Sequence, residues 1–332
     1  MSRQWSAEEI MALGRAYQGA CVLAAAADLD VFTALADGPC SAGQVAAHIR
    51  ADERGTMILL DALAAIELIE KAGGRYTISS SVADALSETG SRSALAIARH
   101  QANCLRSWAR LAWSVRSGTR VEREPSIRRE AADRESFIEA MDNVNVAIAD
   151  QVVADLQPLP FRHVLDVGGA TGTWTFAWLR AQPDAQATIF DLPHAIELAK
   201  ARVAKTEFSD RVKLVAGDFY VDPLPRGADL AWVSAIVHQN SREQNRRLFA
   251  SIHQSLDDGG RILIRDIVMN ESRVAPVVGA LFAINMLVNT EAGGTFTFAE
   301  LREDLEAAGF TAVTLLRDDP SMNSVVAAEK KR

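Results

Sequence analysis

Acidic residues and a glycine-rich turn in the second half of the chain have the types and spacing of a nucleoside-binding site. An apolar run at 163–167 leads directly into the glycine-rich turn 168–172. Asp191 ends the next apolar run, and Asp218 follows the one after it. Carboxylates can accept charge-assisted hydrogen bonds from ribose hydroxyls or an adenine amino group, and the ring of Phe219 can stack on a base. Because the glycines do not follow the dinucleotide pattern G-x-G-x-x-G, the turn indicates a different nucleoside-containing ligand.

Asp166, His238 and Asp266 extend this set of residues. Asp166 precedes the glycines, where its charge suits a cationic group of the ligand. His238 follows the fourth apolar run, and Asp266 ends the fifth. A neutral imidazole, with an ordinary pKa of about 6.5, can take a proton from a hydroxyl near neutral pH. Structural alternatives stay open for single residues, namely a tight turn at 168–172, a helix cap at Asp191 and a capping or surface histidine. Acids at three successive strand ends favour the ligand site.

Short apolar runs alternate with helical segments after Pro160, and this alternation predicts the elements that position these residues. The runs are His163–Val167, Ala187–Asp191, Val212–Ala216, Ala228–Ser234, Arg261–Asp266, Ala312–Leu316 and Ser324–Ala328. Such alternation is typical of an α/β fold in which helices cover both faces of a mostly parallel sheet. Ligands of open α/β sheets bind beyond the carboxyl ends of the strands, which is where the chemical residues lie.

The first 118 residues have helical periodicity and almost no strand signal. Ser41–Ile49 and Asp52–Glu70 predict two amphipathic helices, and Ile69–Ser79 predicts a hairpin that turns at Gly73-Gly74, which together make a winged-helix unit. A winged helix that regulates DNA is therefore an alternative of a different class. The second helix carries Arg54 but is apolar from Thr56 onward, so burial against another chain is favoured over DNA binding.

Two further long helices are predicted at 91–117 and 135–156, with a charge-rich linker between them. This linker, Ser117–Arg134, predicts a boundary between a first domain at 1–118 and a second at 119–332. The formal net charge of −8 gives no electrostatic reason to expect nucleic acid as a partner.

Cysteine usage and the amino terminus bear on metals and location. Cys21, Cys40 and Cys104 are far apart and odd in number, so neither a disulfide framework nor a metal site is predicted from them. No His, Asp and Glu cluster has metal-ligand spacing. The amino terminus does not have the pattern of a signal peptide, and the apolar run Cys21–Ala27 is too short to cross a bilayer. We therefore expect a cytoplasmic protein without a metal.

Taken together, the motifs resemble the class I S-adenosylmethionine-dependent O-methyltransferases of the caffeate and acetylserotonin type, including their bacterial natural-product branch. Asp166–Gly172 is similar to the glycine motif of that family, with Ala170 where glycine is commoner. Phe190–Pro193 and Gly217–Phe219 resemble its ribose and adenine motifs. Val22–Tyr76 resembles its winged-helix dimerisation domain, and the segment 286–310 resembles its final helices, so the resemblance covers nearly the whole chain.

The resemblance implies a fold, a cofactor and roles for individual residues. The fold is a seven-stranded Rossmann-like methyltransferase sheet with an amino-terminal, mainly helical winged-helix domain, and the protein is a homodimer. The reaction transfers a methyl group from S-adenosylmethionine to a hydroxyl of a small molecule, with His238 as the general base and Asp266 orienting it. The implied cofactor contacts are Gly168, Gly169, Asp191, Leu192, Gly217, Asp218, Phe219 and Ser234. The implied substrate contacts are Met141, Asn145, Gln239, Phe282, Asn285 and Asn289.

The chain departs from the family pattern beside the predicted base. Gln239 and Asn240 follow His238 where the family usually has Asp-Trp, and Ser234 stands where Lys or Arg is common. Asn240 is expected to join the polar lining of the substrate pocket. The loop after Gly293-Gly294 lacks the second catalytic glutamate, for which Glu291 is a candidate substitute. An S-methyltransferase for a small thiol or thioether is the alternative enzyme, because a thioether needs no deprotonation.

Overall fold

The computed structural model describes residues 3–91 and 93–332. Its helices are α1 (Ala7–Arg15), α2 (Tyr17–Asp28), α3 (Val31–Ala36), α4 (Ala42–Ile49), α5 (Glu53–Ala65), α6 (Ser80–Leu86), α7 (Leu95–Trp108), α8 (Leu111–Ser117), α9 (Arg129–Val146), α10 (Ala149–Asp155), α11 (Thr173–Ala181), α12 (Pro193–Val203), α13 (Arg242–Ser255), α14 (Val277–Asn289) and α15 (Phe298–Ala307). Its strands are β1 (Glu70–Ala72), β2 (Arg75–Thr77), β3 (His163–Val167), β4 (Gln186–Asp191), β5 (Val212–Ala216), β6 (Ala228–Ser234), β7 (Leu256–Asp266), β8 (Val268–Met269), β9 (Phe296–Thr297), β10 (Thr311–Arg317) and β11 (Ser324–Glu329).

The chain forms two compact units, and it passes between them more than once. The first unit comprises residues up to 109 together with 122–143, and the second comprises 110–121 together with 144–332. The predicted single boundary at 118/119 therefore differs from the observed division. The reason is that most of α9, which sequence periodicity assigned to the second domain, packs within the first unit.

In the first unit, local signals set the ends of the predicted helix pair and hairpin. Ser41 caps α4 in a capping box with Gln44, and Asp52 caps α5. Strands β1 and β2 pair in antiparallel fashion and are joined by Gly73 and Gly74, both with left-handed backbone angles (φ 56° and 77°) that suit glycine. The predicted hairpin and its turn are confirmed.

Several predicted helices end earlier or break. The helix predicted at 52–70 ends at Ala65, because Glu67 takes a left-handed conformation (φ 63°) that cannot continue a helix. The helix predicted at 91–117 is two helices, α7 and α8, and the break coincides with the passage between units at 109/110. The helix predicted at 135–156 is likewise α9 and α10, and α9 already begins at Arg129 within the predicted linker.

The second unit is built on a seven-stranded sheet in the order β10-β11-β7-β6-β3-β4-β5. Strand β11 runs antiparallel to β7 and β10, while the other neighbours are parallel. All seven predicted strands are present. Only β7 begins clearly earlier, at Leu256, because a register shift between Ala228 and Leu230 of β6 accommodates extra residues around Gly259 (φ 78°).

Alternating side chains of the sheet feed two apolar clusters on its opposite faces. One cluster joins β-strand residues such as Val164 and Trp232 to α10 and α11, and the other joins Leu165 and Val233 to α13 and α15. Burial on both faces explains why the strand sequences are apolar runs without polar alternation. Since β3 to β7 are parallel neighbours, their carboxyl ends lie together at one edge of the sheet.

Candidate active site

The glycine-rich turn after β3 brings the backbone close to its neighbours. Gly168 and Gly172 have left-handed backbone angles (φ 72° and 87°), and a Cβ atom on Gly168 would lie 2.6 Å from Ile236 Cδ1. Ala170 is also left-handed (φ 46°), and its backbone N–H donates to Asp191 Oδ2 at 2.8 Å. The turn is therefore bonded to the carboxylate that ends β4.

Asp191 has acceptor capacity to spare at this edge. Its Oδ1 accepts the N–H of Leu192 at 2.7 Å, and each oxygen of a carboxylate can accept a further hydrogen bond. The cap interpretation of Asp191 is wrong, because α12 begins at Pro193 with Leu192 as its N-cap residue and no side-chain cap. The half-buried carboxylate can thus accept hydrogen bonds from two hydroxyl donors, and the ribose of a nucleoside has two such hydroxyls.

The loop after β5 closes the same edge with an acid and an aromatic ring. Asp218 Oδ1 accepts the N–H of Tyr220 at 2.9 Å, and the Asp218 N–H donates to Asp222 Oδ2 at 2.8 Å. Phe219 packs beside the ring of Tyr220, with centroids 4.5 Å apart, and its Cε1 would lie 3.8 Å from a Cβ atom on Gly168. A close-approach turn, free carboxylate lone pairs and a ring beside them fit an adenosine-containing cofactor.

Asp166 does not face this edge, and the expectation that it meets a cationic ligand group is wrong. The residue is 1% exposed, and its Oδ2 accepts the hydroxyl hydrogen of Thr175 at 2.6 Å. Burial raises the pKa of Asp166 to about 7, against the effect of the Thr175 hydrogen bond. Asp166 supports the turn from below, since a Cβ atom on Gly169 would lie 2.9 Å from its Oδ2.

Ser234, an expected cofactor contact, is bonded to a buried arginine. Its Oγ accepts from Arg265 Nη1 at 3.0 Å, and the same guanidinium makes two bonds to Asn323 Oδ1. The guanidinium carbon lies 4.5 Å from the ring centroid of Trp174. Burial lowers the pKa of Arg265 to about 10, which leaves it charged at neutral pH. Sequence reasoning missed Arg265, because it stands inside an apolar strand next to the more obvious Asp266.

His238 and Asp266, predicted as a pair, lie in contact. A single turn of 3₁₀ helix, Val237–Gln239, carries His238, and its Nδ1 lies 3.0 and 2.9 Å from the two carboxylate oxygens of Asp266. Asp266 also accepts the N–H of Ile267 at 2.8 Å. Both side chains are buried. A carboxylate on Nδ1 favours the tautomer with the proton on Nδ1, which makes Nε2 the basic atom.

The Gly293-Gly294 pair packs directly on the backbone of His238. The N–H of Gly294 donates to the His238 carbonyl at 2.9 Å, and a Cβ atom on Gly293 would lie 2.5 Å from that oxygen. Glu291, the candidate for the missing second acid, points to solvent instead. Its side chain is 84% exposed and lies 3.8 Å from Arg120.

The expected substrate residues have mixed outcomes. Phe282 on α14 meets the His238 ring edge to face, with centroids 4.9 Å apart. On the same helix, Asn289 Nδ2 donates to the carbonyl and side-chain oxygens of Asn285. Gln239 is exposed, and its amide donates back to the Ala235 carbonyl.

Three residues remain from the expected polar and apolar lining. Asn240 was expected in the polar lining, but this is wrong, because it is wholly buried and bonded to Tyr220 and Asn245. Met141 and Asn145 are half-buried on α9, in the first and second unit respectively. Their contact with an acceptor stays a prediction. Across residues 3–91 and 93–332, no three His, Cys, Asp or Glu side chains are grouped to hold a metal ion.

This fold and site belong to a known class of enzyme. The O-methyltransferase domain family matches residues 121–311, and the O-methyltransferase dimerisation domain family matches residues 16–86. The chain is a member of the S-adenosylmethionine-dependent O-methyltransferase family, and it acts on small molecules with S-adenosylmethionine as its cofactor.

Individual relatives are similar over almost the whole chain. The 3-hydroxy-5-methyl-1-naphthoate 3-O-methyltransferase of Streptomyces sahachiroi is 33% identical over 317 residues, covering 93% of this chain and 91% of that enzyme. The tetracenomycin polyketide synthesis 8-O-methyl transferase of Streptomyces glaucescens is 33% identical, covering 92% and 91%. The solved structure of human N-acetylserotonin methyltransferase with S-adenosylmethionine superposes with a TM-score of 0.82 and 26% identity over 100% of both chains.

Proposed function

We propose that this enzyme methylates a phenolic hydroxyl of a small aromatic molecule, with His238 as the general base. The observation that carries the proposal is the contact of His238 Nδ1 with both oxygens of Asp266, at 3.0 and 2.9 Å. A phenol, with a pKa of about 10, is mostly protonated at neutral pH and needs a base to become a good nucleophile. The name of the Streptomyces sahachiroi relative, a hydroxynaphthoate 3-O-methyltransferase, supports an aromatic acceptor.

The chain's own groups divide the chemistry between them. When bound, S-adenosylmethionine supplies a methyl group on a positively charged sulfur. His238 Nε2 takes the proton of the acceptor hydroxyl, while Asp266 holds Nδ1–H and stabilises the imidazolium that forms. The perpendicular contact between the rings of Phe282 and His238 restricts the orientations that the imidazole can take. Positioning and proton removal are then the two contributions of the protein.

We further propose which residues hold the cofactor. The carboxylates of Asp191 and Asp218 accept the ribose hydroxyls and the adenine amino group, and Phe219 stacks on the base. The remaining contacts are to the backbone or short side chains of Gly168, Gly169, Leu192, Gly217 and Ser234. Gly217 is required by packing within the protein, since a Cβ atom there would lie 2.5 Å from Phe190 Cζ.

The acceptor class is tested by following label from methyl-labelled S-adenosylmethionine into three matched compounds. We expect a hydroxynaphthoate to be methylated on oxygen, and the corresponding thiol and amine to be poorer acceptors. Mass spectrometry with fragmentation identifies the methylated atom. Transfer to the thiol or to a thioether, with no product from the hydroxyl compound, would overturn the proposal in favour of S-methylation.

We propose that the first unit makes the protein a cytoplasmic homodimer. Helix α1 buries none of its residues, and its apolar side chains Ile10, Met11 and Leu13 are each more than half exposed. In the described residues, Ala7–Asp28 is long and apolar enough by composition to cross a membrane, a test that helices of soluble proteins also pass. The dimerisation domain match over the adjoining residues favours a second copy as the cover for this apolar surface.

We expect light scattering at micromolar concentration to give twice the chain mass of 35.9 kDa. Obligate interfaces of this kind bury more than about 2,000 Å² and are largely apolar. Replacing Ile10, Met11 and Leu13 together with serine is expected to shift the protein to a monomer, whereas serine at the exposed Val221 of the second unit is the matched control. A wild-type monomer would contradict the dimer. Wild-type protein that sediments with lipid vesicles would contradict a second copy as the cover for the apolar side chains of α1.

A further inference from the structure

A chain of side-chain hydrogen bonds connects the loop after β5 to the turn that carries His238. The hydroxyl of Tyr220 donates to Asn240 Oδ1, and Asn240 Nδ2 donates to Asn245 Oδ1 at 2.9 Å. Asn245 Nδ2 then donates to the Val237 carbonyl at 3.0 Å. Val237 immediately precedes His238, and Tyr220 immediately follows Phe219. The chain of bonds thus runs from the cofactor side of the sheet edge to the predicted base.

The direction of every bond in this chain is set by its last member. The Val237 carbonyl can only accept, so Asn245 must present its NH₂ group there and its oxygen to Asn240. Asn240 must then donate to Asn245 and present its own oxygen to a donor. The phenol of Tyr220 supplies that donor. Burial, followed by the charge of Asp218, raises the pKa of Tyr220, so the hydroxyl keeps its proton over the working pH range.

Two of the members have no alternative partner in water. Asn240 and Asn245 are 0% exposed, although the Tyr220 residue as a whole is about half exposed. A buried amide that loses one partner keeps the full cost of its desolvation. The bonded arrangement is therefore strongly preferred over any in which the loop and the turn separate.

The loop and the turn also touch through packing. Phe219 lies beside Gly168, and Ile236 Cδ1 lies so close to Gly168 that a Cβ atom there would be 2.6 Å away. Ile236 is two residues before His238. A change in the position of Phe219 thus acts on the turn by two routes, packing and hydrogen bonds. The hydrogen-bonded route can be tested by substitutions that remove a single atom.

We propose that Tyr220, Asn240 and Asn245 are positioning residues that couple occupancy of the cofactor site to the orientation of the His238 imidazole. The proposal rests on His238 being the base and on Phe219 meeting the adenine. When the cofactor holds the loop after β5, Tyr220 holds Asn240, Asn245 holds the Val237 carbonyl, and the ring of His238 is held against Asp266. Methyl donor and proton acceptor are then in place together.

The test compares wild type with Tyr220→Phe, which removes one oxygen atom, using the product S-adenosylhomocysteine as the ligand. The chain has six histidines, so the His238 ring resonances are assigned by their loss in His238→Gln. We expect the ligand to shift these resonances in wild type and to lose at least half of that shift in Tyr220→Phe. Calorimetry should show a Kd raised by about 3–10-fold, the worth of one hydrogen bond, so the variant can still be saturated.

Tyr76→Phe is the matched control, because the Tyr76 hydroxyl donates to Asp61 in the first unit. We expect it to leave both the Kd and the ligand-induced His238 shift unchanged. Asn240→Leu, which removes the amide but keeps the volume, should behave like Tyr220→Phe. If Asn240→Leu does not fold, Tyr220→Phe alone decides. A full His238 shift in saturated Tyr220→Phe would overturn the coupling.

Activity separates this inference from the proposed function. We expect kcat of Tyr220→Phe to fall by about 10-fold at saturating cofactor and acceptor, with the KM for the acceptor nearly unchanged. A lower thermal stability with unchanged kcat and an unchanged His238 shift would mean a structural role alone. If Tyr220→Phe loses the His238 shift but His238→Gln keeps its turnover, the coupling stands. That combination would instead refute His238 as the base.

Discussion

The His238→Ala variant is expected to lose about 10²–10⁴-fold in turnover while binding S-adenosylhomocysteine with unchanged affinity. The imidazole contacts Asp266 and Phe282, and none of the proposed cofactor contacts involves it. Without the base, the acceptor must give its proton to water, and a phenol with a pKa of about 10 does so rarely at neutral pH. Single-turnover methyl transfer at saturating acceptor, with calorimetry on the same preparation, measures both quantities.

Asp266→Asn and Asp191→Ala make the interpretation of this result sharper. Asp266→Asn keeps the side-chain volume but removes the negative charge beside His238 Nδ1, and the comparable change in a Ser-His-Asp triad costs about 10⁴-fold in turnover.

Asp191→Ala should instead raise the Kd for S-adenosylhomocysteine by about 10–100-fold, the range for hydrogen bonds to a charged group. If His238→Ala keeps more than about a tenth of wild-type turnover, far above the residual turnover expected after loss of a general base, proximity alone drives transfer. An acceptor that needs no deprotonation is then favoured.

Asp166→Asn is expected to stabilise the cofactor-free protein, relative to wild type, increasingly as the pH rises. Burial raises the pKa of Asp166 from 3.8 to about 7, with the Thr175 hydrogen bond opposing and the charge of Asp191 assisting. Between these two pKa values the folded state binds more protons than the unfolded state, so wild-type stability falls as the pH rises. Asparagine does not titrate. The difference in unfolding free energy should move in favour of the variant by on the order of 2–3 kcal/mol between pH 5 and pH 8.

Urea unfolding of both proteins at a series of pH values measures this difference. Asp229→Asn is a suitable control. Burial acts to raise the pKa of Asp229, but the hydrogen bonds from the N–H groups of His163 and Arg162 together outweigh it and lower this pKa. A lowered pKa contributes stability that is lost only as the pH falls below the ordinary range, so the Asp229→Asn penalty should be constant from pH 5 to pH 8. A constant difference for Asp166→Asn as well would contradict a raised pKa.

The sheet and its functional edge could be predicted from the chain because their signals are local. The seven strands are buried on both faces and therefore appear as apolar runs, and a run followed by Gly, Asp or His places that residue at the carboxyl edge. This is why Asp191, His238 and Asp266 were identified individually, and why the His238–Asp266 contact followed from adjacent strands β6 and β7.

What could not be predicted depends on which way a side chain turns within a known element. Asp166 and Asp191 both end or nearly end a strand, yet one turns beneath the glycine turn and the other toward the open edge. Arg265 is polar in an apolar run, and only the positions of Trp174 and Asn323 show how it is satisfied. The burial of Asn240 could not be predicted from the sequence, because its partners Tyr220 and Asn245 come from separate elements.

The alternation of the chain between its two units determines how the protein can be made and divided. Because the first unit takes residues 122–143 for its completion, a ribosome must synthesise the entire segment through 143 before that unit can close. A fragment that stops at 118 would leave His100 without the Phe137 ring that it meets at 5.1 Å, and Ser93 without the amide of Asn143. No single cut releases either unit whole, so a transplant of the first unit into another enzyme must carry α9 with it.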